Sequence, residues 1–380
     1  MACMVRGIFT PLEFVFVYYP CRTFTSDQLF PVIWDATQVL TKLGFNVKAF
    51  VCDGASPNRR FYRLHDNGEA MVYWAWNMYS EDEEEKIYFI CDVPHLIKTT
   101  RNNFENSGAH NRTRNLHYNK QDISWCHIQS LYQWDLGLTD NRRAVGLRKA
   151  TKLTHDHVNL TPSLRMRVNL AAQVLSNTVR HGLVLQRRHD TESTKKFVDM
   201  FDKFFDCLNV KHRHQGTRTL KPELHPYEDV NDFRFTWLQD QFLGFLKEWE
   251  QEAHSTPGLT KDQQNRMCLS KQTLEGLRIT VASFVSLAKE LLQKEGVNYI
   301  LSDKLNQDPL EQHFSKQRRR CGANDNPTVM EFGRNEVTLH VTREMLAAVR
   351  NRGGNCRGRE DNHRIDLADN TPLPKRPRKK

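Results

Sequence analysis

Asn46-Val47-Lys48-Ala49-Phe50-Val51-Cys52-Asp53-Gly54-Ala55-Ser56-Pro57-Asn58 is the stretch on which the fold turns. The apolar run from Val47 to Cys52 reads as a buried strand that delivers Asp53 into a Gly- and Pro-containing turn. A carboxylate held at the exit of a buried strand, with the backbone turning away beside it, suits a hard cation or a phosphate. The same Asp-Gly pair also reads as a turn opener and nothing more.

Upstream, Ala2 to Phe9 and Phe14 to Tyr19 are rich in Val, Phe and Tyr and read as two antiparallel strands. A helix is expected after Pro20, with caps among Thr25, Ser26 and Asp27, an apolar face of Leu29, Ile33, Leu40 and Leu43, and Gly44 as its stop. Downstream, the aromatic stretch from Ala70 to Tyr79 and the run Ile87-Tyr88-Phe89-Ile90-Cys91 read as further strands. The second ends in Asp92-Val93-Pro94-His95, where a helix starts near Pro94. Asp92 is either that helix's cap or, with His95, part of a reactive edge.

From about Arg101 to Gly216 the pattern turns helical, with apolar stripes at Ser163–His181 and Lys195–Asn209. Thr217 to Pro226 reads as a polar linker. Asp232 to Ala253 and Ser270 to Gln293 follow as amphipathic helices, and Asp325 to Val341 as loop with one strand. In Asn306-Gln307-Asp308-Pro309-Leu310-Glu311, Asp308 caps a helix and Glu311 either closes a capping box or shares an outward face with Ser315 and Arg318.

The chain has 55 Lys and Arg against 45 Asp and Glu, a formal charge of +10. The surplus is concentrated at the end: His313 to Lys380 holds 16 basic and 8 acidic residues. Such a field fits a polyanionic partner, with Lys316, Arg318, Arg319 and Arg320 as phosphate contacts. The tail Pro372-Leu373-Pro374-Lys375-Arg376-Pro377-Arg378-Lys379-Lys380 has the form of a nuclear-import signal, so a nuclear location is expected. No apolar run approaches the roughly 20 residues a membrane helix needs. Nine cysteines without a Cys-x-x-Cys pair point to reduced thiols.

Together, Asp53-Gly54-Ala55-Ser56-Pro57-Asn58, Asp92-Val93-Pro94-His95 and Asn306 to Glu311 resemble the P-element family of cut-and-paste DNA transposases, which includes the THAP-domain transposases of animals. The likeness extends to Met4-Val5-Arg6-Gly7-Ile8, to His95 through Asn103 and to Asn326-Pro327-Thr328-Val329. It implies an α/β fold: a ribonuclease-H-like mixed sheet with an inserted helical nucleotide-binding domain. The expected layout is a ribonuclease-H-like part at 1–90, the insertion at 91–216, the second ribonuclease-H-like part at 217–340 and a basic tail at 341–380.

The resemblance also implies roles. Asp53 and Glu311 correspond to two carboxylates that hold Mg2+ for DNA cleavage and strand transfer, and Asp92 with His95 to an accessory pair. Lys152, Val168, Ser176, Asp206 and Asn209, closed by Asp308, correspond to a GTP site. DNA is the implied partner, and self-association into a homo-oligomer is compatible with it. The family's first catalytic Asp lies on a strand upstream of the hairpin, so the resemblance implies an N-terminally truncated protein, its sheet and its catalytic set both incomplete. The alternative is a non-enzymatic, domesticated nuclear protein that keeps DNA or GTP binding.

Overall fold

The computed structural model describes residues 1–380 except 22, 66–67, 69–70, 83, 109–112, 138–150, 321–327 and 351–380. The import-type tail and Asn326-Pro327 lie outside the described residues. The chain divides into two compact units, Thr23–Gln307 and Met1–Arg22 with Asp308–Lys380.

In the larger unit, α1 (Ser26–Lys42) opens on a capping box in which Thr25 and Gln28 bond reciprocally, and it ends before Gly44 at φ +84°. Then come β3 (Ala49–Cys52), α2 (Ser56–Arg63), β4 (Trp74–Trp76) and β5 (Lys86–Cys91). Their three-stranded sheet has the order β3-β5-β4, with β5 parallel to β3 and antiparallel to β4. The register sets Cys52 opposite Cys91, so the chain leaves both strands side by side at Asp53 and Asp92. The ring of Tyr62 on α2 stacks on Phe89 at 4.6 Å, and its hydroxyl donates to the Ile90 carbonyl at 3.1 Å.

A long helix, α9 (Lys271–Leu292), packs along β5. β4 is short, and α9 takes over where it stops. The Thr280 hydroxyl accepts from the Cys91 amide at 3.0 Å and donates to the Cys91 carbonyl at 3.1 Å, while Ser283 donates to the Tyr73 and Phe89 carbonyls. Gly276 permits this approach: a Cβ there would stand 2.9 Å from Leu96 Cδ2. At the opposite end of the strands, Lys48 bridges Glu85 at 2.9 Å and Glu290 at 3.1 Å.

After β5, α3 (Val93–Glu105) leads into a helical body. The small hairpin β6 (His117–Tyr118) and β7 (Gln121–Asp122) precedes α4 (Trp125–Asp135), α5 (Val168–Val174), α6 (Asn177–Leu185) and α7 (Glu192–Cys207). Phe104, Trp125, Phe197, Phe201 and Trp249 form its buried aromatic centre. The stripe at Ser163–His181 is not one helix but parts of three: Pro162–Arg165, α5 and α6. Ser176 makes the last break, accepting from the Val179 amide and donating to the Gln173 carbonyl at 2.8 Å, which starts a new helix inside an apolar pattern. The stretch from Asp232 to Ala253 likewise holds a π-helical segment, Trp237–Phe242, before α8 (Leu243–Ser255).

In the smaller unit, β1 (Ala2–Arg6) and β2 (Glu13–Tyr18) pair antiparallel as a two-stranded sheet. The helix α10 (Asp308–Arg320) follows the Asp-Pro start. The expected loop and strand at Asp325–Val341 is corrected to helix from residue 329: α11 spans Val329–Arg350. The reason is a capping box, with the Thr328 amide and hydroxyl donating to Glu331 Oε2 at 2.7 and 2.9 Å. Glu336 on α11 receives His313 and Gln317 of α10, both at 2.8 Å, and Phe332 lies 4.8 Å from Tyr18 between ring centroids.

Candidate functional site

Asp53 follows the last residue of β3, and its carboxylate organises the turn. Oδ1 accepts from the Ala55 amide at 2.9 Å and from Asn58 Nδ2 at 2.8 Å, and the Arg59 guanidinium donates to the Gly54 carbonyl. The turn-opening reading therefore holds for one oxygen. Oδ2 has no hydrogen bond among the described residues. The half-buried carboxylate is thus oriented and still open on one side.

Asp92 is spent differently. It is 3% exposed; Oδ2 accepts from the His95 amide at 2.9 Å as the cap of α3, and Oδ1 accepts from the Gln307 amide at 2.8 Å. Gln307 also donates through Nε2 to the Val51 carbonyl at 3.2 Å. Asp92 thus ties the segment at residue 307 to the exit of β3 and β5. His95 is a half-buried ring whose edge faces Gly54: a Cβ on that glycine would lie 3.8 Å from Nε2. Burial pushes the imidazole below its usual range and Lys98 adds to this, against an opposing pull from Asp53. His95 is therefore neutral at pH 7 and able to accept a hydrogen bond.

In the smaller unit, Asp308, Glu311, Gln312, Phe314, Ser315 and Arg318 line one open hollow. Of the two readings of Glu311, the outward face is the one adopted: its carboxylate is exposed and makes no hydrogen bond among the described residues, so no capping box closes on it. Lys316, Arg318, Arg319 and Arg320 are exposed on the same helix. Among the described residues, no group of three or more His, Cys, Asp or Glu side chains is arranged to hold a metal ion. The donors of this edge therefore do not fit a two-metal centre by themselves.

In the insertion, Asp206 sits in the last turn of α7, and the Asn209 amide lies 3.4 Å from its carbonyl. Its carboxylate pairs with Lys221, which also lies 3.3 Å from Asp202. Burial, then Asp202, raises the Asp206 carboxyl to about 6. Ser176 caps the helix that begins at Asn177, whose amide pulls the Asp202 carboxyl down against its burial, and Lys221 links Asp202 to Asp206. Val168 begins α5, which packs on α7. Lys152 is exposed, with φ +55°, and makes no hydrogen bond or ion pair among the described residues. Asp308 belongs to the other unit.

Asp202, Lys221 and Gln307 escaped the sequence reading. The i, i+4 spacing of Asp202 and Asp206 on the polar side of a Phe-rich helix was an available signal for the first. Nothing in a polar linker marks Lys221.

A strand-terminal carboxylate on a mixed sheet, with a helical body inserted after β5, defines a ribonuclease-H-like α/β protein with an insertion domain. Three family models match in order: "TNP-like, RNase H N-terminal domain" over residues 1–65, "TNP-like, GTP-binding insertion domain" over 94–221 and "TNP-like, RNase H C-terminal domain" over 303–334. The chain belongs to the P-element-type transposase family. It is 26% identical over 295 residues to the Transposable element P transposase of Drosophila melanogaster, covering 77% of this chain and 35% of that protein. The chain thus spans about a third of that relative's length. The fold is similar to a chain of the solved Drosophila P element transposase strand transfer complex, with a TM-score of 0.66, 23% identity and coverage of 88% of this chain and 68% of that one.

Proposed function

We propose that this chain is a P-element-like transposase that keeps the DNA- and guanine-nucleotide-binding surfaces of its family and does not cut DNA by itself. The observation that carries this reading is the unequal state of the two strand-exit carboxylates. Asp53 keeps an open oxygen, whereas both oxygens of Asp92 accept backbone amides. The likeness to the family assigns Asp53, in the larger unit, and Glu311, in the smaller one, to Mg2+ binding. Two carboxylates are too few for a pair of ions, and a misplacement of about 1 Å costs roughly 100-fold in rate.

DNA is the proposed partner because the similar solved structure is a transposase strand transfer complex and because α10 exposes Lys316, Arg318, Arg319 and Arg320. GTP is the proposed nucleotide because the family model over residues 94–221 carries that name and Asp206 is a positioned acceptor. Guanine offers N1–H and N2–H to a carboxylate, while adenine presents an acceptor at N1 and leaves the buried oxygen unpaired. Lys152 would meet the phosphates, and Val168, Ser176 and Asn209 would line the base or sugar. The basic tail would direct the protein to the nucleus.

The test incubates purified protein with supercoiled and linear DNA in Mg2+ or Mn2+. No nicking is expected, and salt-sensitive DNA binding is expected. Metal-dependent nicking that disappears in Glu311→Gln would overturn the proposal.

A further inference from the structure

The Asp202, Asp206 and Lys221 cluster holds two carboxylates and one ammonium, so among the described residues one carboxylate's charge is left without a cation of its own. α7 sets the two acids one turn apart on one face. Lys221 Nζ lies 3.4 and 3.3 Å from the two oxygens of Asp202 and bonds Oδ2 of Asp206. All three are sheltered, with side chains 12%, 16% and 33% exposed in the order Asp202, Asp206, Lys221. Asp206 Oδ1 has no hydrogen bond among the described residues.

We propose that Asp202 is a positioning residue for guanine recognition: it holds Lys221 so that Asp206 can turn both oxygens to the base. The inference rests on the reading that Asp206 recognises guanine. A carboxylate grips the N1–H and N2–H pair of guanine with two oxygens, and in the structure one of those oxygens is shared with Lys221. The ammonium must therefore be held elsewhere when the base arrives, and Asp202 already lies within bonding distance. Asp202 is the more sheltered of the two acids, and both of its oxygens already face Lys221. With Asp202 neutralised, Lys221 would have Asp206 as its only ion-pair partner among the described residues and would compete with guanine for it. No covalent step is involved.

The test measures GTP and ATP affinity by calorimetry for the full chain, Asp202→Asn, Lys221→Gln and the double variant. Asn keeps an oxygen for the Asn177 amide, which preserves the helix start. Asp202→Asn is expected to lose about tenfold in GTP affinity with ATP unchanged, the worth of one charge-assisted hydrogen bond. Lys221→Gln is expected to keep or raise GTP affinity. The double variant should return to within about threefold of the parent, since removing the competitor removes the need to hold it.

A purely structural role for Asp202 would leave the double variant as weak as the single one, and that result overturns the inference. Unchanged GTP affinity in Asp202→Asn, or a loss in Lys221→Gln, overturns it as well. If the parent prefers GTP and Asp206→Ala abolishes the preference, the guanine reading stands whatever Asp202 does. Equal GTP and ATP affinity in the parent removes both.

Discussion

Replacing Asp92 by Ala separates two uses of a carboxylate that lie at the same strand exit. In the structure Asp92 caps α3 through the His95 amide and holds the Gln307 amide through its other oxygen, at 2.9 and 2.8 Å. Losing an N-cap costs about 1 kcal/mol. Leaving a half-buried amide without an acceptor costs about 1–3 kcal/mol more. The expected loss is therefore about 3 kcal/mol, which lowers the urea midpoint by about 1 M at the slope usual for a unit of this size. Asp92→Asn keeps an acceptor for the cap and should lose about half as much.

The assay is urea denaturation followed by tryptophan fluorescence, repeated with and without 5–10 equivalents (about that excess) of Mn2+ to expose any linked metal binding. Unchanged stability in Asp92→Ala, together with lost Mn2+ stabilisation, would refute the capping account and leave Asp92 to the reactive edge with His95. Equal losses in the Ala and Asn variants would refute the assignment of the cap.

Four other outcomes follow from the same geometry. The Asp206 carboxyl, raised to about 6, is ionised above that pH and protonated below it, so the GTP preference should be full at pH 7.5 and decline by about tenfold per unit below 6; a preference that persists at pH 4.5 counts against Asp206. Gly276→Ala would set a methyl 2.9 Å from Leu96 Cδ2, and overpacking of about 1–3 kcal/mol should exceed the helix-propensity gain of about 1 kcal/mol, giving a lower melting temperature. Replacing Lys316, Arg318, Arg319 and Arg320 by Ala should weaken DNA binding and flatten its salt dependence by about one unit per lost phosphate contact, which a filter-binding titration across salt concentrations measures. Deleting residues 372–380 should reduce nuclear accumulation of a fluorescent fusion, and an unaltered distribution would place the signal elsewhere.

The sequence reading succeeded where local chemistry decides. The strand into Asp53, the Asp-Val-Pro start of α3 and the Thr25 cap are written in residues a few positions apart. It misjudged places where a cap interrupts an apolar pattern, as Ser176 does, because the stripe continues across the break. The start of α11 is legible as Thr328 and Glu331 at capping-box spacing, but the Asn-Pro just before them reads as loop. Lys221 was read as linker: its partners lie 15 and 19 residues back on α7, and only the folded chain brings them together. The two roles of Asp92 could not be separated in sequence, since the acceptor's second partner is Gln307, 215 positions away.

The hydroxyls of Thr280 and Ser283 also bear on solubility. Beyond Tyr88, β5 has no strand on its β4 side among the described residues, and a bare row of amides and carbonyls there would be a template for strand addition by another chain. The helix supplies hydroxyls in place of that strand, meeting the amide of Cys91 and the carbonyls of Cys91 and Phe89. The helix thereby closes this edge without a further strand. Thr280→Val, which keeps the shape and removes the hydroxyl, would reopen the edge, with self-association as its first symptom.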